Sequence, residues 1–182
     1  MLAVSEFRYC PKCATELISR IPSGDNRLRN ECPACGFVHY INPIPVVGTV
    51  AVCDGKILLC RRAIEPRRGY WTLPAGFMEA HETLAEGAFR ETIEETGEAV
   101  RIGSLFCIVD VPPANQIHFF FLANFDKLEA SPGQETLEQK LFAPQDIPWG
   151  EISFETVEVA LKCYLQDMHT GQTRLHRKCL RD

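Results

Sequence analysis

The alternation of hydrophobic and polar positions predicts a series of strands and two helices beyond about residue 45. Residues 46–53 form an apolar run, and Asp54-Gly55 is a hairpin turn signal ahead of a return strand over 57–60. The order is strands, helix, strands, helix, which indicates an α+β fold with a mixed sheet and helices on both faces. The predicted strands are 46–53, 57–60, 105–111, 117–125 and 137–142, and the predicted helices are 84–96 and 153–168.

The first helix has recognisable ends and an acidic face. Thr83 followed by Glu86 is a capping box, so the helix should begin near Leu84, and Gly97 is a natural stop. At about 100° per residue, three later carboxylates share one arc of the helix. Apolar side chains on other faces should anchor the helix in a core. The three carboxylates are Glu91, Glu94 and Glu95, and the anchors are Leu84, Ala88 and Ile93.

This cluster of carboxylates predicts a divalent metal site. Like charges one turn apart cost a few tenths of a kcal/mol each, roughly, and a hard cation removes that cost. Magnesium prefers oxygen ligands and typically bridges carboxylates to substrate phosphates, so Mg²⁺ (or Mn²⁺) is the expected cofactor. A solvated acidic helix face is the alternative for an isolated E-x-x-E-E run. Arg90 is expected to pair with Glu82 and brace the preceding loop against the helix.

Residues 76–97 resemble the Nudix box, a glycine, a glutamate six residues on, and then R-E-x-x-E-E-x-G. Two positions that usually carry bulky aliphatic residues hold Thr92 and Glu98 instead. We expect Glu98 to alter packing rather than chemistry. The seven matching positions are Gly76, Glu82, Arg90, Glu91, Glu94, Glu95 and Gly97.

A second motif precedes this domain and predicts a structural zinc site. Cys10, Cys13, Cys32 and Cys35 form two C-x2-C pairs with 18 residues between them, which suits four thiolates around one tetrahedral zinc ion. Disulfide pairing is the alternative, disfavoured because nothing suggests secretion. His39 is expected to be a surface residue. Four of the remaining cysteines are expected to be buried, and the fifth lies in the tail. They are Cys53, Cys60, Cys107, Cys163 and Cys179.

Composition limits the classes of function. The 182 residues carry a formal net charge of −5, which argues against broad nucleic-acid or anionic-membrane binding. No apolar stretch is long enough to span a bilayer, so a cytoplasmic protein is expected. The segment Asn42-Pro43-Ile44-Pro45 is typical of an extended linker between domains. We therefore predict a zinc ribbon over 1–42, a catalytic domain over 43–169, and a solvated, frayed basic tail over 170–182.

The resemblance to Nudix proteins implies an α/β/α sandwich and hydrolysis of a nucleoside diphosphate linked to another group. In the family, magnesium is held by the box carboxylates and by backbone carbonyls of the glycine loop, here Ala75 or Gly76. A glutamate acts as general base in many relatives, and in some of them it comes from outside the box. Glu135 and Glu138 are the candidates. Many relatives are homodimers, so a homodimer is expected.

Several side chains ahead of the box are candidates for substrate contact. Arginine suits bidentate phosphate binding, and an aromatic ring can stack on a base. The arginines could instead belong to a solvated loop. Trp71 could also stack on a base, but it is expected to lie in the core. His81 is expected to be solvated, and His118 to be packed or outward-facing. The substrate candidates are Arg61, Arg62, Arg67, Arg68, Tyr70 and Phe77.

The sequence indicates the identity of the substrate less clearly than the type of reaction. A zinc ribbon ahead of a Nudix domain resembles the NADH pyrophosphatase branch, but that branch carries a Ser-Gln-Pro-Trp-Pro-Phe-Pro segment. The corresponding residues 106–121 contain only Val111-Pro-Pro113 and no tryptophan. Residues 58–79 and 147–150 look closer to plant chloroplast FAD and ADP-ribose pyrophosphatases, so release of AMP from FAD or ADP-ribose is expected. The alternatives are hydrolysis of NADH or of an NAD cap on RNA, and a nucleic-acid or protein adaptor on an inert scaffold.

Overall fold

The structure is a computed structural model that describes residues 7–181. The chain divides into two compact units, residues 1–43 and 44–182, and the division falls beside the predicted boundary. Residues 1–6 of the predicted ribbon and residue 182 of the predicted tail lie outside the described residues. Among the described residues, no helix combines the length and apolar character needed to cross a membrane.

The first unit is built on a small antiparallel sheet of three strands in the order β1-β2-β3. A cysteine pair precedes β1 and the second pair follows β2. Gly36 adopts φ of 73°, as expected for a tight turn after the second pair. The strands are β1 (Ile18–Arg20), β2 (Arg29–Glu31) and β3 (Val38–His39).

The second unit contains one mixed sheet and two helices. The strand order is β10-β5-β4-β9-β8-β11, with β6 paired to β5 and β7 paired to β4. Only β4–β9 and β8–β11 are parallel pairs within the sheet of the described residues. The elements are β4 (Ile44–Cys53), β5 (Lys56–Arg62), β6 (Trp71–Thr72), β7 (Ala75–Phe77), α1 (Leu84–Thr96), β8 (Arg101–Val111), β9 (Gln116–Asn124), β10 (Thr136–Phe142), α2 (Glu155–Thr170) and β11 (His176–Cys179).

The two helices cover opposite faces of this sheet. Successive side chains of a strand point to opposite faces, and β4 shows this clearly. Val47 packs with Ala88 of α1, whereas Val50 packs with Leu161 of α2. Trp71 belongs to the core beneath α2, as expected from the sequence. The α+β prediction with helices on both faces is confirmed.

The ends of α1 are those that the sequence predicts. The Thr83 hydroxyl accepts from the Glu86 amide at 3.2 Å, and the Glu86 carboxylate accepts from the Thr83 amide at 2.8 Å. Gly97 ends the helix at φ of 73°. By contrast, α2 begins at Glu155, two residues later than predicted, because the backbone of Phe154 is extended at φ −135° and ψ 145°.

The prediction of a frayed tail is wrong for residues 176–179, although the side chains of residues 177–179 are exposed as predicted. They form β11, which runs parallel to β8 with His176 opposite Cys107. His176 is buried, and its Nε2 lies 2.8 Å from the carboxylate of Asp167 in α2. The tail is therefore held by a polar anchor and by backbone pairing. Neither the contact between His176 and Asp167 nor the backbone pairing of β11 with β8 produces a hydrophobic pattern in the sequence.

Candidate active site and zinc centre

The glycine loop is held against α1 by its pairing with the central strand. In β7, Gly76 lies opposite Val47 of β4, and Ala75 lies opposite Gly48. A Cβ on Gly48 would lie only 2.6 Å from the Pro74 carbonyl oxygen, so glycine permits this close approach. The loop backbone and the acidic face of α1 consequently meet over one end of β4.

Glu95 is the most perturbed acid of this region. Its side chain is buried, the Ala75 backbone amide donates to its carboxylate, and its Oε2 atom has no hydrogen-bond partner. Burial, followed by the nearby Glu91 carboxylate, raises the pKa of Glu95 to about 8. A buried carboxylate oxygen without a partner is costly, so this atom marks a position where a cation would be stabilising.

Glu91 lies directly against Gly76. A Cβ at residue 76 would lie 2.6 Å from Oε1 of Glu91, so a side chain there would displace this carboxylate from its position. Burial raises the pKa of Glu91, although an ion pair with Arg90 at 2.7 Å opposes the shift. Two partly or fully buried carboxylates thus face the glycine loop together.

Glu94 stands apart from the other two box carboxylates. Its side chain is 58% exposed, and Oε2 lies 3.1 Å from the Arg90 guanidinium. The single carboxylate arc predicted from helix geometry therefore splits into a buried pair and an exposed third member. The split arises because β7 covers only the side of α1 that carries Glu91 and Glu95.

The expected contact between Arg90 and Glu82 is present. The Arg90 guanidinium binds both oxygens of Glu82, at 2.8 and 3.0 Å, and also donates to the Phe77 carbonyl at 3.0 Å. Glu82 in turn accepts from the Glu79 amide at 2.7 Å. Hydrogen bonding to Arg90 lowers the pKa of Glu82 to about 2. These contacts fix the glycine loop on the first half of α1.

The two candidate general bases occupy different surroundings. Burial is the main cause of the raised pKa values of Glu91 and Glu95, and the charge of Glu135 adds to both shifts. The backbone ahead of Glu135 packs on α1, since the Gly133 amide donates to the Glu95 carbonyl at 3.0 Å. Glu138 is exposed on β10 and pairs with Arg61 at 3.6 Å. Of the two candidates, Glu135 is the one whose charge acts on the buried pair.

Among the candidate substrate arginines, Arg62 is the one whose charge acts on Glu95, where it partly opposes the rise in pKa that burial causes. Arg62 donates to the Pro66 carbonyl at 2.9 Å and lies over the Phe154 ring. Arg61 donates to the Gly69 carbonyl at 2.9 Å. The Arg67 guanidinium lies over the Tyr70 ring. The four remaining candidates are all exposed, namely Arg67, Arg68, Tyr70 and Phe77.

The histidines do not join this cluster among the described contacts. His81 is exposed at φ of 71°. His118 is half-buried and shares a 3.0 Å hydrogen bond with Gln116, and burial lowers the pKa of His118 to about 4. Both observations agree with the solvated and packed interpretations made from the sequence.

The residues around the glycine loop fit a hard divalent cation. They offer carboxylate oxygens from Glu91 and Glu95, one of them without a partner, beside a backbone that approaches closely at Gly76. Oxygen ligands of this kind suit magnesium or manganese and leave positions for water and phosphate. Glu94 can join the set only by exchanging its contact with Arg90.

The four ribbon cysteines fit a zinc ion equally well. Their sulfur atoms all lie within 4.8 Å of one another, and three Sγ–Sγ pairs measure 3.5–3.6 Å. Such distances match the edges of a tetrahedron with Zn–S near roughly 2.3 Å. Hydrogen bonding to the hydroxyl and backbone of Thr15 lowers the pKa of Cys13 to about 6, which favours the thiolate form. His39 instead packs on the Phe7 ring.

Both departures from the box motif make polar contacts that the sequence did not indicate. The buried Thr92 hydroxyl donates to the Ala88 carbonyl at 2.7 Å and lies 2.8 Å from the Thr49 hydroxyl of β4. Glu98 accepts from the backbone amides of Glu129 and Ala130, both at 2.6 Å. An acid in place of an aliphatic residue was the available signal for a specific contact at residue 98.

Comparison with known proteins agrees with these two units. A model of the NUDIX domain matches residues 42–160, and a Nudix N-terminal zinc-ribbon model matches residues 8–41. A Nudix hydrolase from Nitrosomonas europaea, solved by crystallography, is 43% identical with a TM-score of 0.92, covering 96% of this chain and 99% of that one.

Two curated relatives carry more specific names. "NAD-capped RNA hydrolase NudC" of Vibrio parahaemolyticus is 28% identical over 165 residues, which cover 88% of this chain. The match spans only 62% of that relative's length. "ADP-ribose pyrophosphatase" of Methanocaldococcus jannaschii is 29% identical over 131 residues, covering 70% of this chain and 76% of the relative. Because the domain model accounts for most of the chain and the box residues meet at one site, the chain belongs to the Nudix family.

Proposed function

We propose that this chain hydrolyses the diphosphate bond of a nucleoside diphosphate linked to another group, in a magnesium-dependent reaction. The observation that carries the proposal is the buried pair of carboxylates, Glu91 and Glu95, set against the backbone of Gly76 with one oxygen lacking a partner. The arginines of the preceding loop, residues 61–68, could bind the diphosphate of a substrate.

The residues of the site have distinct roles in this proposal. Glu91, Glu95 and Glu94 would hold the divalent cation, which when bound supplies charge neutralisation of the diphosphate and activation of water. Arg90 holds the carboxylate of Glu91 and, through Glu82, the glycine loop. Because the side chain of Glu95 is buried by the protein, its carboxylate keeps one position and needs little reorganisation during the reaction.

We propose Glu135 as the general base. The proposal is supported by the effect of its charge on both Glu91 and Glu95 and by the exposure of its side chain to water and substrate. A base in this position would take a proton from the attacking water. Glu138 would remain a surface partner of Arg61.

ADP-ribose and FAD are the substrates we propose first, with AMP as a product. Support for ADP-ribose comes from the relative named "ADP-ribose pyrophosphatase", and support for FAD comes from the resemblance of residues 58–79 to FAD and ADP-ribose pyrophosphatases. Arg62, near Glu95, is the arginine best placed for a phosphate. The exposed rings of Tyr70 and Phe77 are available to stack on a base.

The proposal is tested by assaying ADP-ribose, FAD and NADH with Mg²⁺ and measuring AMP. We expect AMP from ADP-ribose or FAD, and a loss of more than about 100-fold in kcat/KM for Glu95→Gln, since a metal ligand should cost more than its supporting contacts. Glu155→Gln, on the exposed first turn of α2, is the matched control and should keep the rate. Undiminished turnover by Glu95→Gln would rule out the proposed metal role.

Hydrolysis of NADH or of an NAD cap on RNA is the second candidate. It is favoured by the match to "NAD-capped RNA hydrolase NudC", which extends over most of this chain. The absence of tryptophan from residues 106–121 argues against it. A higher kcat/KM for NADH or capped RNA than for ADP-ribose and FAD would establish this alternative.

A homodimer in the cytoplasm is part of the same proposal, as the resemblance to dimeric relatives implies. Sedimentation equilibrium of the full chain at micromolar concentration would show twice the 20.5 kDa mass of one chain if the dimer forms.

The adaptor alternative would instead predict salt-sensitive RNA binding by a protein without hydrolytic activity.

A further inference from the structure

The segment between β9 and β10, residues 125–135, carries Glu135 and packs on the last turn of α1. We call it the β9–β10 loop. The Gly133 amide donates to the Glu95 carbonyl at 3.0 Å, and the Ala63 amide donates to the Glu135 carbonyl at 2.8 Å. The loop backbone is therefore bound directly to the helix residue that bears the buried carboxylate.

Two glycines make this packing possible. A Cβ on Gly97 would lie 2.7 Å from the Ser131 carbonyl oxygen, and one on Gly133 would overlap the Glu94 carbonyl oxygen. Both obstacles are backbone atoms that cannot rotate away. The contact between helix and loop is thus closer than any residue with a side chain allows.

Glu98 binds the backbone of the same loop at residues 129 and 130. Its Oε1 atom accepts from two consecutive backbone amides, Glu129 and Ala130, each at 2.6 Å. The Ala130 carbonyl accepts from the Gln139 side chain, also at 2.6 Å. An aliphatic residue, which the box motif has at position 98, offers no acceptor for either amide.

An anchor is needed because the loop brings negative charge to negative charge. The charge of Glu135 acts on Glu91 and Glu95, and wherever these acids are ionised without a cation they repel it. Residues 129–135 would relieve the repulsion by moving outward. Two charge-assisted hydrogen bonds oppose that movement, and such bonds are roughly twice as strong as neutral ones.

We propose that Glu98 is a positioning residue, whose carboxylate fixes the β9–β10 loop and thereby places Glu135 beside Glu91 and Glu95. This inference rests on the proposed function for its catalytic consequence. The anchoring itself concerns only the loop and is measured separately.

A double-mutant cycle tests the catalytic part. Glu98→Ala should lower kcat for the preferred substrate by about 10- to 100-fold, in the range for lost supporting contacts, while KM stays nearly constant. In a Glu135→Gln background the same change should lower kcat by less than about twofold, because the residue it positions is already disabled. Glu98→Gln keeps an acceptor oxygen and should restore most of the rate. Glu155→Ala is the matched surface control.

Amide hydrogen exchange tests the anchoring without reference to activity. In the metal-free full chain, Glu98→Ala should speed exchange at Glu129 and Ala130 by at least about tenfold, whereas Glu98→Gln should leave it near the wild-type rate. Unchanged exchange in Glu98→Ala, or an equal loss of kcat with and without Glu135, would overturn the inference. If the wild-type chain hydrolyses none of the substrates, the proposed function fails, and the exchange rates still decide whether Glu98 holds the loop.

Discussion

At the scale of single residues, the spacing of the box identifies the acids but not their surroundings. Helix geometry places Glu91, Glu94 and Glu95 on one arc. Contacts with Ala75 of β7 and with Gly133 cover Glu95, while Glu94 remains in solvent. This difference in burial depends on contacts between residues that are far apart in the sequence. The periodicity of a helix gives no information about such contacts.

The burial of Glu95 predicts an unusual pH dependence of stability in the metal-free protein. A carboxyl whose folded pKa is raised from 4.5 to about 8 binds more protons in the folded state than in the unfolded state between these values. The free energy of unfolding should therefore fall as the pH rises from about 4.5 to 8. Glu95→Gln removes this loss and should be more stable than wild type at pH 8 by about 2–4 kcal/mol.

Urea unfolding at pH 4.5 and pH 8 in the presence of a chelator measures this effect. The exposed Glu94→Gln is the control, because solvent screens its charge and little change is expected. Equal stability of Glu95→Gln and wild type at pH 8 would show that Glu95 is not the strained acid of the site.

At the scale of elements, local signals predicted α1 accurately, whereas elements defined by distant partners were missed. Thr83, Glu86 and Gly97 specify both ends of α1 through contacts within a few residues. In contrast, β6 and β7 have two and three residues, and β11 is held by His176 and Asp167. Strands this short exist only because a partner strand is present, so sequence periodicity does not reveal them.

The tight contact between α1 and the β9–β10 loop gives a prediction at this scale. Gly133→Ala should destabilise the protein by about 1–3 kcal/mol and lower its activity, since the new Cβ would force the loop backbone away from Glu94. Gly150→Ala is the matched control, because no atom lies within 4 Å of its new Cβ, and it should change stability by less than about 0.5 kcal/mol. Thermal melts and turnover of both variants measure the effect. Similar behaviour of the two would contradict the packing described.

At the scale of the whole molecule, the chain consists of two units with different sources of stability. The second unit has large apolar clusters on both faces of its sheet. The first unit is small and its strand β1 is exposed throughout, so we expect a metal bound by the four cysteines to add to its stability. The spacing of the cysteines predicted this arrangement, while the role of the ribbon in substrate choice is not encoded in that spacing.

Zinc removal should therefore unfold the first unit selectively. With a strong chelator, or in Cys13→Ser, amide exchange across residues 7–43 should rise to the rate of an unfolded chain, while β4, β5 and β9 stay protected. Metal analysis should give one zinc ion per chain before treatment. Persistent protection of residues 7–43 after complete zinc removal would show that the ribbon folds without its metal.

The central claim is that Glu91 and Glu95 hold a divalent cation against the glycine loop, and Mn²⁺ binding measured by electron paramagnetic resonance tests it most directly. The wild-type chain, with its ribbon loaded with zinc, should bind Mn²⁺ saturably, and Glu95→Gln should weaken that binding by at least about tenfold, whereas Glu155→Gln should not. Equal Mn²⁺ affinity in wild type and Glu95→Gln would contradict the account.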